Sequence, residues 1–174
     1  MRLVKTLPIL LSLGAALGSV SAWALPNDQQ QPIRIQADDA QLDDKNGIAT
    51  YTGDVIITQG SMKITGNTVT ITRSATGDID VVTSVGNLAY FEQQQSAANP
   101  DKMKGWGVTI QYQSQKDLVI LTDRAKVESE GNTTEGEKIV YNTQTQVATA
   151  GRGGNVTTPR QRIDMVIQPK KKAE

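Results

Sequence analysis

The stretch from Ile35 to Val55 opens with Ile35-Gln36-Ala37-Asp38 and closes with Thr52-Gly53-Asp54-Val55, and both short motifs recur along the chain. The first motif, a small residue after an extended stretch, returns as Ile64-Thr65-Gly66-Asn67, Met103-Lys104-Gly105-Trp106 and Thr134-Glu135-Gly136-Glu137. The second motif returns as Val85-Gly86-Asn87-Leu88, Thr122-Asp123-Arg124-Ala125 and Gly153-Gly154-Asn155-Val156. Successive copies of the first motif lie 29, 39 and 31 residues apart. Such a period predicts one stacked β-structure in which no unit buries its apolar face alone.

The first 24 residues differ from everything that follows. Arg2 and Lys5 precede an apolar run from Leu7 to Leu17, and small residues then lead to Ala22-Trp23-Ala24. This order is typical of a secretory signal peptide with an A-x-A cleavage site, and the apolar run is too short for a membrane span. The sequence therefore predicts a signal peptide over residues 1–24 and an exported, soluble product.

The amino-acid composition argues against several classes of function. The chain has no cysteine and no histidine, so it lacks disulfides, the commonest general base and the commonest metal ligand. Its 18 basic residues balance its 18 acidic ones, which does not favour a nucleic-acid partner. The spacing of Asp38-Asp39 and Asp43-Asp44 does not match a calcium loop. We expect no cofactor, no metal site, no nucleic-acid binding and no catalytic activity.

Short segments of alternating apolar and polar residues fill the rest of the chain. Ile33-Arg34-Ile35-Gln36-Ala37 and Val108-Thr109-Ile110-Gln111-Tyr112 are two examples, and Lys45-Asn46-Gly47 has the chemistry of a tight hairpin turn. Alternation with period two predicts antiparallel sheet with one face buried. Leu118-Val119-Ile120-Leu121 is apolar throughout, which suits a strand that is covered on both faces. The sequence predicts an all-β sandwich or roll, whose inward residues form either a dry core or an apolar trough.

Two pairs of segments resemble a known family. Gln31-Pro32-Ile33-Arg34-Ile35-Gln36-Ala37-Asp38 followed by Thr52-Gly53-Asp54-Val55-Ile56-Ile57-Thr58-Gln59-Gly60 is similar to the OstA-like family of periplasmic lipopolysaccharide-transport bridge proteins, which includes LptA. Tyr112-Gln113-Ser114-Gln115-Lys116-Asp117-Leu118-Val119-Ile120-Leu121-Thr122 and Gly136-Glu137-Lys138-Ile139-Val140-Tyr141 continue the likeness. It runs from about Gln31 to Met165, nearly the whole exported chain.

The resemblance implies an open β-jellyroll of stacked antiparallel strands, built here from about four sequence repeats. It divides the chain into a signal peptide (1–24), a flexible N-terminus (25–31), the OstA-like domain (32–168) and a disordered basic tail (169–174). It also implies an apolar trough for lipopolysaccharide. The residues expected to line that trough are Ile35, Ile64, Val69, Ile71, Tyr90, Val108, Ile110, Tyr112, Leu118, Ile120 and Tyr141.

The family's function adds expectations about location and partners. The protein would lie in the periplasm and bridge the inner and outer membranes by joining copies of itself head to tail. Its further partners would be the inner-membrane bitopic C component and the N-terminal domain of the outer-membrane translocon. We expect the first and last strands to be the pairing edges, unless their own loops cover them. The edge residues are Ile33, Arg34, Ile35, Gln36, Ile163, Asp164, Met165, Val166 and Ile167.

Two other functions fit parts of the sequence. A diffusible periplasmic carrier of lipids or lipoproteins would also need an apolar cavity, but it would be a closed monomer. A secreted β-solenoid enzyme acting on polysaccharide would place rows of acids, arginines and aromatics on one strand face. Polar positions here carry mainly Thr, Gln and Asn, which disfavours the enzyme.

Overall fold

The structure, a computed structural model, describes residues 28–95, 101–151 and 162–169. These residues form ten antiparallel strands in one sheet, which confirms the all-β prediction. The strands are β1 (Ile33–Gln36), β2 (Asp39–Asp43), β3 (Ile48–Gln59), β4 (Met62–Arg73), β5 (Ile79–Gln94), β6 (Lys102–Gln113), β7 (Leu118–Ser129), β8 (Asn132–Asn142), β9 (Val147–Gly151) and β10 (Asp164–Val166). The two helical segments in this part of the chain are the short 3-10 turns Asp28–Gln30 and Ser114–Lys116. Neither is long enough to cross a membrane.

Strands that follow each other in the chain lie side by side in the sheet. The order is β1-β3-β4-β5-β6-β7-β8-β10, with β2 also paired to β3 and β9 also paired to β8. Because β1 and β2 share one partner, they act as a single edge strand interrupted at Ala37-Asp38. At the other edge, β9 and β10 share β8 in the same way.

A line of irregular pairing crosses the sheet through the middle of its long strands. The register shifts lie between Thr52 and Val55, Thr65 and Thr68, Val85 and Ala89, Trp106 and Thr109, and Thr122 and Ala125. These are the positions of the repeated motifs, so each described copy marks a bulge or a strand break. Bulges bend a strand and increase its twist. We call this line the spine.

The sheet folds over at the spine, so that its two halves face each other. Phe91 pairs with Gly105, seven residues before Tyr112 on β6, a separation of about 23 Å along a straight strand. The rings of Phe91 and Tyr112 are nevertheless only 6.1 Å apart. We name the halves wall A (residues 33–36, 55–65, 89–95, 102–106, 125–135 and 164–166) and wall B (39–52, 68–85, 109–122 and 138–151).

The free ends of the two walls lie opposite the spine. Lip A consists of residues 60–61, 94–95 and 129–132 at the end of wall A, and lip B consists of the turns 44–47, 73–78, 114–117 and 142–146. The predicted Asn46-Gly47 hairpin belongs to lip B, where Gly47 has a φ of 65° that suits glycine. We call the line along which the lips meet the seam.

The inward faces of both walls form a single apolar core, and the outward faces are polar. Lys104 lies opposite Glu128, and Lys126 opposite Glu135, as cross-strand ion pairs on the outer face of wall A. The completely buried side chains include Phe91, Ile57, Ile64, Met103, Ile110, Leu121, Ile139, Val55, Val69 and Val119.

The segment expected to be flexible, residues 25–31, forms a turn over its described part. Asp28–Gln30 forms a 3-10 turn, and Gln31 donates its backbone N–H to Asp28 at 3.0 Å. Side chains from distant strands also bind this turn, as described below. The flexibility expected for residues 25–31 stays a prediction, and residues 25–27 lie outside the described part of the chain.

The spine predicts a specific intolerance to side-chain volume. A Cβ atom on Gly66 would lie 2.2 Å from Ser84 Oγ and 2.9 Å from the backbone oxygen of Val85, whereas one on Gly136 would meet nothing closer than 4.0 Å. Because the backbone of β5 must shift to accept it, Gly66→Ala should lower the free energy of unfolding by about 1–3 kcal/mol. Gly136→Ala is the control and should change it by roughly 0.5 kcal/mol or less. Urea denaturation measures both, and equal effects would contradict the tight packing at the spine.

Candidate functional site

Six of the residues expected to line a trough lie in the interior between the walls. Wall B contributes five of them and wall A one, and all are buried. They are Ile64, Val69, Ile71, Ile110, Tyr112 and Tyr141. A seventh, Ile35, pairs with inward-facing Ile57 at the sheet edge and is half-buried against the core.

Four expected residues lie elsewhere. Tyr90 flanks buried Phe91 and therefore lies on the opposite, outer face, where its ring is 5.3 Å from that of Trp106. Leu118 and Ile120 likewise alternate with buried neighbours and belong to the outer face. Val108 falls in the bulge between Trp106 and Thr109, where the alternation is interrupted. The prediction that these four residues point inward is therefore corrected. It assumed that side chains alternate regularly between the two faces of a strand, and a bulge interrupts that alternation, while a continuous apolar run does not reveal it.

The interior also contains side chains that the sequence analysis did not select. The side chains of this group on wall A face the predicted residues of wall B across the core. In the run from Leu118 to Leu121, the inward residues are Val119 and Leu121 and not Leu118 and Ile120. Counting parity outward from each bulge, instead of along whole strands, would have found them. They are Ala49, Val55, Ile57, Met62, Val82, Ala89, Phe91, Met103, Val119, Leu121, Ala125, Val127 and Ile139.

A cavity of about 580 Å³ opens between the walls near the first strands. Ile57 and Met62 line it from wall A, Ile71 and Val82 line it from wall B, and Ile33 lies at the sheet edge. The interior is therefore not closely packed throughout. The apolar side chains of the cavity lie beside polar ones such as Gln29, Gln59 and Gln115, so the cavity offers a hydrocarbon chain a partly apolar surface.

The interior row runs out into solvent at both edges of the sheet. At the first edge Ile33 is 38% exposed and Leu42 61% exposed, and their partners Gln59 and Ala49 are buried. At the last edge Met165 pairs with Thr134 and is 59% exposed. Apolar side chains that continue a buried row but remain uncovered indicate a surface that another protein can cover.

The residues expected to form the pairing edges lie at these ends. Ile33, Arg34, Ile35 and Gln36 form β1, whose second edge has no partner strand among the described residues. Asp164, Met165 and Val166 form β10, paired only with β8 in the same part of the chain. Ile163 and Ile167 flank β10 and are exposed.

Polar side chains close the seam above the cavity. Asp28 accepts hydrogen bonds from the Ser61 backbone N–H at 2.7 Å and from Gln93 Nε2 at 2.8 Å, both on the lip A side. The neighbouring Gln29 donates to the Ser114 carbonyl and to Asp117 Oδ1, each at 3.1 Å, on lip B. Residues 28–31, which we call the strap, thus connect the two lips.

Three tyrosines in and around this site resist ionisation. Burial raises the pKa of Tyr112 and of Tyr141, partly offset by the hydrogen bonds that Gln29 and Gln95 donate to their hydroxyls. On the outer face, burial raises the pKa of Tyr90, and the hydrogen bond that its hydroxyl donates to Glu92 raises it further. The Tyr112 and Tyr141 hydroxyls are thus neutral at physiological pH and available as acceptors.

The raised pKa values predict loss of stability in alkali. Tyrosines in the unfolded chain ionise near pH 10, whereas these remain protonated when folded, so the unfolded state loses protons first. The free energy of unfolding should be unaffected by tyrosine below about pH 10 and should fall as the pH rises above it. Urea denaturation at about pH 8 and pH 11 measures the loss. Tyr112→Phe should reduce it, and an unchanged loss in that variant would contradict the burial of Tyr112.

The described residues contain no group of three or more His, Cys, Asp or Glu side chains placed to hold a metal ion.

Comparison with known proteins gives matches that agree with one another. Residues 34–147 match the family described as LptA/(LptD N-terminal domain) LPS transport protein. The chain is 61% identical, over the full length of both, to lipopolysaccharide export system protein LptH of Pseudomonas aeruginosa. It is 33% identical to lipopolysaccharide export system protein LptA of Escherichia coli K12, covering 88% of this chain and 83% of that one.

A solved structure agrees with the fold. The crystal structure of LptH, described as the LptA homologous periplasmic component of the lipopolysaccharide transport device of Pseudomonas aeruginosa, superposes with a TM-score of 0.76 at 58% identity. The superposed region covers 83% of this chain and the whole of the LptH chain. The predicted open β-jellyroll is therefore confirmed, and the chain belongs to the LPS transport family that comprises LptA and the N-terminal domain of LptD.

Proposed function

We propose that this protein is a periplasmic component of lipopolysaccharide export that carries the acyl chains of its cargo between its two walls. The observation that carries the proposal is the apolar row that crosses the whole sheet and remains uncovered at both ends. Its relatives are named lipopolysaccharide export system proteins, and the solved relative is described as a periplasmic component.

The physical basis is the burial of hydrocarbon. Each CH₂ group moved from water into an apolar space contributes about 0.8 kcal/mol, so an acyl chain is held strongly without any specific polar contact. Because the lining is similar from strand to strand, a chain can slide along the row without returning to water. The cavity beside Ile33 and Ile57 is the first such space along the row. This transport requires no catalytic group, and we propose that the protein is not an enzyme.

The exposed ends support assembly head to tail. Stacking β1 and β2 of one copy against β9 and β10 of the next would cover Ile33 and Leu42 with Met165, Ile163 and Ile167. It would also supply hydrogen-bond partners to the free strand edges. Such a contact is heterologous, so it propagates and does not close on itself.

The same edges would receive partners at the two membranes. The matching family includes the LptD N-terminal domain, so a second protein with this fold is a natural partner for a strand edge. We propose that the inner-membrane bitopic C component docks at one end and the N-terminal domain of the outer-membrane translocon at the other. Export would begin with the signal peptide predicted at residues 1–24, and the basic tail at 169–174 would remain outside the domain.

The site supports a bridge over a diffusible carrier, because a carrier would be expected to cover its apolar ends. Nothing among the described residues favours an enzyme on polysaccharide. The bridge and the carrier differ in self-association, which the second experiment below measures.

The lining can be mapped with a photo-reactive residue. Placed at Ile35, Ile110 or Tyr112, it should crosslink to lipopolysaccharide, because these side chains lie between the walls. At Gln111 or Ile120, on the outer face of wall B, it should give little product. Gel shift after illumination measures the yield, and comparable yields from both faces would rule out binding between the walls.

Truncation tests the proposed assembly. Removal of residues 163–174 takes away β10 and the exposed side chains around it, while the buried core remains. This form should stay β-rich by circular dichroism and bind lipopolysaccharide, but it should sediment as a monomer at every concentration. Removal of residues 169–174 alone is the control and should leave concentration-dependent assembly intact. Self-association that survives the longer truncation would place the interface elsewhere, and lost β-signal would assign β10 to the folding core.

A further inference from the structure

Among residues 28–95, 101–151 and 162–169, the seam is closed at two places by side chains that come from distant parts of the chain. The first closure is the strap. Its Asp28 carboxylate accepts from Ser61 and Gln93 on the lip A side, and Gln59 Nε2 donates to the Gln29 and Gln31 carbonyls at 3.1 Å each. From this base on lip A, the Gln29 side chain reaches across to lip B.

The second closure is Gln95 at the end of lip A. Its Oε1 accepts a hydrogen bond from Ser129 at 3.1 Å, also on lip A. Its Nε2 donates to the Tyr141 hydroxyl at 2.5 Å, and its backbone carbonyl accepts from Gln146 Nε2 at 3.1 Å, both on the wall B side. Gln95 follows β5 and therefore spans the seam three strands away from β1 in the sheet order.

Both closures have the same construction. In each, a glutamine amide based on lip A donates to a tyrosine hydroxyl of wall B, Gln29 to Tyr112 at 3.5 Å and Gln95 to Tyr141. The two tyrosine rings lie in the interior row. An acyl chain that passes either residue in the row would therefore contact a ring whose hydroxyl takes part in closing the seam.

The hydrogen bonds that close the seam can break at a small cost in free energy. In the part of the chain that the structure describes, the closures consist of hydrogen bonds made by side chains, and no strand pairing crosses the seam. Such bonds contribute little net free energy, because water replaces them when they break. The closed state also leaves Gln93 Oε1 buried without a hydrogen-bond partner among the described residues, and opening would expose that atom to water.

An amphiphile requires an opening of this kind. Its acyl chains belong between the walls, but a large polar headgroup attached to them must remain in water throughout transport. Between the two open edges of the sheet the spine is continuous backbone, so along this length the headgroup can protrude only through the seam. We propose that Gln29 and Gln95 are two latches that hold the seam closed in the empty protein and release it when acyl chains enter from the side. This inference rests on the proposed function.

Removal of the latches tests the inference through exchange rates. Gln29→Ala, Gln95→Ala and the double variant should take up and release fluorescent lipopolysaccharide faster than the wild type. We expect about a tenfold effect for the double variant, since several hydrogen bonds across the seam are lost. Gln111→Ala is the matched control, because Gln111 lies on the outer face and accepts from Gln113, and its rates should not change. Rates in the double variant equal to those of the wild type would overturn the inference.

A crosslink between the lips tests it in the opposite direction. The chain has no cysteine, so Gln29→Cys together with Gln115→Cys gives a single pair of thiols beside the same cavity. A short bismaleimide applied before lipopolysaccharide should abolish uptake, and the same reagent applied after loading should trap the cargo. Uptake at the wild-type rate by the crosslinked protein would overturn lateral opening. If no protein, the wild type included, takes up lipopolysaccharide, the proposed function fails and this inference fails with it.

Discussion

A single antiparallel sheet with one apolar face can bury that face only by folding onto itself, and this constraint determines the rest of the structure. Each long strand must bend at the same height, or the strands would lose their pairing. The register shifts do align, from Thr52 on β3 to Ala125 on β7. Small residues are needed where the backbones approach closely, as Gly66 does to Val85. The repeated motifs of the sequence are therefore the bending points of the sheet.

The same constraint produces the features that serve transport. A folded sheet has a spine on one side, a seam on the other and an uncovered row at each edge. The edges expose Leu42 and Met165, which suits contact with further copies or with related domains. In the proposed mechanism, the seam would let the polar part of an amphiphile stay in water while its chains lie among side chains such as Ile57 and Val82. The bend would thus assign the sliding of acyl chains, the docking of partners and the passage of the headgroup to different parts of the surface.

The sequence predicted the fold class and the repeat, because strand alternation and turn chemistry are local. It placed Ile64, Val69, Ile71, Ile110, Tyr112 and Tyr141 correctly in the interior. It misplaced Tyr90, Leu118 and Ile120, because the side-chain parity of a strand does not carry across a bulge, and because the run from Leu118 to Leu121 has no parity to count.

The closures of the seam had no local signal at all. Gln29 binds Tyr112 and Asp117, more than 80 residues further along the chain, and isolated glutamines in polar segments resemble ordinary surface residues. Only the fold brings these groups together.

The proposal that acyl chains lie between the two walls can be tested by measuring the distance between the walls during binding. Pulsed electron paramagnetic resonance measures that distance between spin labels on Thr58→Cys of wall A and Thr72→Cys of wall B. Both positions lie on outer faces. Labels on Thr72→Cys and Gln111→Cys, both on wall B, give the control distance. We predict that lipopolysaccharide widens the distance between the walls and leaves the distance within wall B unchanged. An unchanged distance between the walls in protein saturated with lipopolysaccharide would show that the cargo does not lie between them.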